Sequence, residues 1–117
     1  MATTSTPQGG LPPAEPMDLT SAVQYAPGSI VSRTLLKTDT GTLTLFAFDE
    51  GQELSEHTAP FNALVQVLDG AATVVIGGKP VGVKMGELVL MPANVPHAVR
   101  AGGRFKMLLT MFRTAVK

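Results

Sequence analysis

The 117-residue chain contains no cysteine and no tryptophan, and it has a single tyrosine. Without thiols there is no disulfide framework, no thiolate nucleophile and no thiolate metal site, a composition that fits a reducing, cytoplasmic setting. Nine basic residues are cancelled by nine acidic ones. That balance leaves no electrostatic footprint for nucleic acid or an anionic membrane surface, and no basic run creates one. No apolar run approaches the roughly 20 residues that span a bilayer, and the N-terminus lacks the basic-then-apolar order of a signal peptide. The remaining partners are small molecules and other proteins.

What is present points to strands. Hydrophobic residues make up 44% of the chain and aromatics only 5%, so Val, Leu, Ile, Met and Ala must build the core. Twelve glycines and nine prolines cut the chain into short segments without a convincing amphipathic helix, the pattern of a one-domain all-β barrel or sandwich. Residues 1–16 are rich in Pro, Ser, Thr and Gly and cannot nucleate a core, so they read as an N-terminal arm before a domain spanning 17–117. Met17 to Tyr25 reads as a first strand or as a single turn after a capping Asp18. Strands follow at Ile30–Lys37, Thr42–Phe48, Gln52–His57, Asn62–Asp69 and Ala71–Ile76. Gly77-Gly78 is a two-residue hairpin turn. Val81–Met85, Leu88–Met91, Val95–Arg100 and Arg104–Phe112 complete a small antiparallel barrel or jelly roll. The segments 63–68 and 105–112 are apolar on both faces and fit a sheet buried on both sides.

Only two histidines are present. His57 stands at a strand exit. His97 follows a turn framed by Pro92 and Pro96, which hold Met91 and Val95 out of helix and aim the imidazole in a defined direction. A side chain so held suits a ligand or proton carrier; a satisfied structural histidine is the plain alternative. Gln66 is a lone amide in an apolar run and needs a partner if buried. Glu53 shares a face with His57 if their strand is regular. Arg100 and Arg104 suit an anion, and the methionines at 85, 91, 107 and 111 read as core filling. No nucleophile elbow or phosphate loop is present, Ser55 being only a near neighbour of His57.

Gly51, His57 and Gly70 resemble the first cupin motif, and Gly86, Pro92 and His97 the second, with Asn94 where that motif usually has Gly. The resemblance covers about residues 40 to 112. It implies a cupin-like antiparallel β-barrel, a double-stranded jelly roll, with a divalent metal held by three histidines and a glutamate. Two of those positions fall here on Ala59 and Ala63. His57 and His97 carry over; Gln66, Glu53, Asn62 and Asn94 are the candidate replacements, with Gln66 foremost although regular parity turns it away from Ala63.

Three functions remain. The first is a small-molecule-binding cupin whose barrel takes a small, partly apolar ligand beside a depleted, weak site for Fe, Mn, Ni or Zn formed by His57, His97 and Gln66. The second is a metal-dependent dioxygenase or isomerase, and the third a structural or interaction module. The resemblance also implies a homodimer formed through outer strands.

Overall fold

The computed structural model describes residues 10–114, in which nine strands and no helix occur. They are β1 (Ile30–Lys37), β2 (Gly41–Phe48), β3 (Glu53–His57), β4 (Phe61–Asp69), β5 (Ala71–Ile76), β6 (Lys79–Lys84), β7 (Leu88–Met91), β8 (His97–Arg100) and β9 (Phe105–Arg113). Two antiparallel sheets face each other, one ordered β1-β2-β9-β4-β7 and the other β3-β8-β5-β6. The all-β jelly roll expected from the sequence is therefore the observed architecture. Residues 1–9 of the expected arm lie outside the described residues.

Alternation decides which side chains fill the space between the sheets. On β4, Ala63, Val65 and Val67 are buried and point inward while Gln66 is exposed, as a strand period of two requires. On β9 the inward set is Phe105, Met107, Leu109 and Met111, and on β2 it includes Phe46 and Phe48. Register stacks these into rows. Phe48 opposes Phe105, Phe46 opposes Met107, and Thr42 opposes Met111, which opposes Ala63, which opposes Met91.

The tight connections follow from chain geometry. Gly77 and Gly78 both adopt positive φ, the conformation a two-residue hairpin demands. Gly70 also has positive φ, and a Cβ there would lie 2.2 Å from the carbonyl oxygen of Arg104, so only glycine fits. β6 begins two residues earlier than expected and includes Pro80; it is the edge of its sheet, where a missing N–H leaves no ladder partner unsatisfied.

The outer face of the larger sheet carries a second apolar cluster. Val23 packs there on Leu35, Leu45 and Ala47. Met17 to Tyr25 is not a strand: Asp18 accepts hydrogen bonds from the backbone N–H and hydroxyl of Ser21, at 3.2 and 2.7 Å, and the chain turns once. Lys106 and Arg33 on the sheet donate to the carbonyls of Thr20 and Ala22, fixing the segment against the strands. Tyr25 donates to Asp69 at 2.6 Å, and burial together with that carboxylate pushes its phenol well above the usual range. Arg104 lies over the same ring and donates to Asp49 at 2.8 Å. That hydrogen bond holds the Asp49 carboxyl below the usual carboxylate range.

Candidate functional site

β3 and β8 are antiparallel neighbours, and their register puts His57 directly opposite His97. Getting both inside requires an irregularity. Leu54 opposes Val99 and His57 opposes His97, so three steps along β3 match two along β8, a β-bulge that shifts the strand phase. Leu54 and His57 consequently both reach the interior. Glu53 does not: it is exposed and lies 3.5 Å from Arg100 on the outside. The expectation that Glu53 shares a face with His57 assumed a regular strand, and the bulge overturns it.

The histidines meet at the wall of a cavity of about 270 Å³ that is otherwise lined by Phe46, Leu54, Ala63, Met91, Val99, Met107, Leu109 and Met111. His97 is buried and His57 exposed, so His57 marks the mouth. Their Nε2 atoms are 3.2 Å apart. Nδ1 of His57 is 2.9 Å from the carbonyl oxygen of Ser55, and Nδ1 of His97 is 3.1 Å from that of Val95. A carbonyl oxygen only accepts, so each Nδ1 carries the ring proton. Each Nε2 then presents a lone pair to the other. Two lone pairs at that distance repel unless a cation or a shared proton lies between them.

The pair fits a metal in part. Two nitrogens 3.2 Å apart, each about 2.1 Å from one ion, subtend an angle of about 100°, near tetrahedral and octahedral values. The Nδ1–H to carbonyl bonds are the second-shell contacts that fix a metal-binding imidazole. Further carboxylate, imidazole or thiolate donors are lacking. Among the described residues no cluster of three or more His, Cys, Asp or Glu could hold a metal.

None of the candidate replacements lines the cavity. Gln66 is exposed on the outer face of β4, as the parity of Ala63 requires, so it is no donor to the pair. The side-chain oxygen of Asn62 accepts the N–H of Ala93 at 3.0 Å and is committed to the proline-framed turn. Asn94 is exposed at φ 66°, where Asn is the best substitute for the motif's usual Gly, and its N–H donates to Ala59 at 2.8 Å. Arg100 and Arg104 pair with Glu53 and Asp49, away from the cavity. The methionine expectation needs correction at Met85, which is 64% exposed. Met91, Met107 and Met111 do lie inward, but they wall the cavity. The row register could have revealed them; residue type alone could not.

The chain matches the cupin domain family over residues 44–112, more than half of its length. It belongs to the cupin family. A conserved protein of unknown function from Streptococcus pyogenes is 34% identical, with 91% of this cupin and 93% of that chain covered and a TM-score of 0.85. A cupin 2 conserved barrel domain protein from Leptotrichia buccalis is 42% identical over 83% of this chain and 47% of its own, with a TM-score of 0.81. A cupin superfamily protein from Desulfitobacterium hafniense is 27% identical, covering 89% and 95%, with a TM-score of 0.82. No curated protein matches the sequence. No helix is long and apolar enough to cross a membrane among the described residues.

Proposed function

We propose that this cupin binds a small, partly apolar molecule in the barrel, where His57 and His97 anchor its polar end. The observation that carries the reading is the pair of Nε2 lone pairs facing each other across 3.2 Å at the wall of an apolar cavity. Such a site rewards a ligand that brings a donor or a cation to the imidazoles and an aliphatic body to the opposite wall. A divalent transition metal, Fe, Mn, Ni or Zn, is held by the same two nitrogens, and weakly, because water or ligand must supply the remaining positions. Bound there, a metal would supply Lewis acidity to a ligand oxygen; the imidazoles orient that ligand and the aliphatic wall excludes water from its far end.

A metal-dependent dioxygenase or isomerase is the second reading, favoured by the separation of the nitrogens. The protein is further read as a cytoplasmic homodimer without nucleic-acid or membrane partners. Support for a dimer comes from Leu88 and Leu90, 60% and 48% exposed on the edge strand of the larger sheet, an apolar stripe suited to an isologous contact.

Elemental analysis of untagged protein, before and after a chelator, tests the site. Substoichiometric transition metal that is restored by added Zn(II) and lost in His97→Ala, with the barrel still folded, supports the reading. Unaltered metal content in His97→Ala contradicts it.

A further inference from the structure

A divalent ion at the histidine pair finds two protein donors, and the facing wall offers it no oxygen. No Asp or Glu lines the cavity. What the wall offers is sulfur. Ala63, which occupies the motif's carboxylate position, stands between Met111 on β9 and Met91 on β7 in one cross-strand row. Met107 lies on the same face of β9, and all three methionines line the cavity together with both histidines.

Thioether sulfur and imidazole nitrogen form a soft donor set, which discriminates against ions that want carboxylate or water and favours copper in the +1 state. Charge acts in the same direction. None of the donors is anionic, so the full charge of the ion is transferred into an apolar cavity, and that desolvation rises with the square of the charge. A monovalent ion is the one such a cavity tolerates best. We propose that the barrel holds copper(I), with Nε2 of His57 and His97 and the sulfurs of Met91 and Met111 as its donors.

Methionine also fills irregular gaps without any ligating role. The distribution argues for more than filling. The outward positions of the same strands use leucine, at Leu64, Leu88, Leu90 and Leu108, whereas the cavity carries three methionines beside Leu54 and Leu109, and the closed end of the interior uses phenylalanine and valine. Three of the six methionines in the chain surround the cavity that contains both histidines. Leucine would pack the wall equally well, and that equivalence supplies the test.

The copper site rests on the histidine-pair reading. Untagged full-length protein is titrated anaerobically with Cu(I) against bathocuproine disulfonate, and in parallel with Zn(II) against a zinc-binding dye. One Cu(I) per chain is expected, held more tightly than Zn(II). In Met91→Leu/Met111→Leu, Cu(I) affinity falls by at least about tenfold, the loss that removing even an outer-sphere partner causes, while Zn(II) binding and the melting temperature stay unchanged. With methyl-13C methionine, Ag(I) as a redox-inert surrogate moves the Met91 and Met111 methyl resonances. A double variant that keeps the parent affinity for Cu(I), or a parent that prefers Zn(II), overturns the copper site and leaves the histidine pair standing. Failure of the parent to bind either ion removes both.

Discussion

The two ends of the barrel are built from the same strands and filled in opposite ways. At the closed end Phe48 and Phe105 stack with centroids 4.4 Å apart, their planes 16° from parallel, and both are wholly buried. At the open end the corresponding rows carry Thr42, Met111, Ala63 and Met91 opposite the histidines. Large flat side chains complete the packing below, and small or flexible ones leave a hollow above. Stability and chemistry are thereby separated along one axis. A substitution at one end should register in melting temperature, and a substitution at the other in binding.

The largest expected effect lies at the closed end. Phe105→Ala removes a buried ring from the stacked pair and should destabilise the fold by about 3–5 kcal/mol, read as a fall in the denaturant midpoint. Because binding depends on the other end, the fraction that remains folded should bind metal as the parent does. Loss of binding in that fraction would erase the separation.

A smaller effect, in the opposite sense, is expected at the mouth. Ala59→His with Ala63→Glu returns the two donors that the cupin motif carries at these positions, and each added ligand should contribute roughly tenfold or more in affinity. Divalent affinity should rise about a hundredfold, close to 2.8 kcal/mol, while the metal-free variant should melt lower, because Ala63 is buried and the new carboxyl lies in an apolar cavity. Calorimetry with Mn(II) or Zn(II) reads the change. An unchanged affinity would mean that positions 59 and 63 do not face the histidine pair.

The smallest effect belongs to neither end. Asp49 is held below the usual carboxylate range by Arg104 and then by the N–H of Gly28. A depressed carboxyl stabilises the fold above the unfolded value near pH 4 and loses that contribution as pH falls through the folded one. Asp49→Asn should therefore flatten the acid limb of the stability profile, lower the midpoint slightly at neutral pH and leave metal binding alone. Circular dichroism melts between pH 2 and 7 would show it, and an acid limb like the parent's would contradict the assignment.

Much of this was written in the sequence. Glycine at the turns, alternation in β2 and β4, and the spacing from Gly51 to His57 and from Gly86 to His97 place the strands and bring out the barrel. Parity alone turned Gln66 away from Ala63, and the exposed outer position of its side chain agrees. The β3 bulge was not legible, because nothing in Ser55 or Glu56 marks an extra residue; it is defined only by pairing with β8. That bulge sends Glu53 out and His57 in. The methionine wall was hidden for a related reason. Met91 and Met111 are distant in sequence and become neighbours of Ala63 only through cross-strand register.

The chemistry of the open end turns on both imidazoles carrying their proton on Nδ1 and directing bare Nε2 atoms at one another. Long-range 1H–15N correlation of the two histidines in metal-free protein at alkaline pH reads the tautomers directly. Protonated Nδ1 and unprotonated Nε2 are expected in both rings, with the two Nε2 resonances moving together when Zn(II) or Cu(I) is added. A ring protonated on Nε2, or a single Nε2 responding to metal, would contradict it.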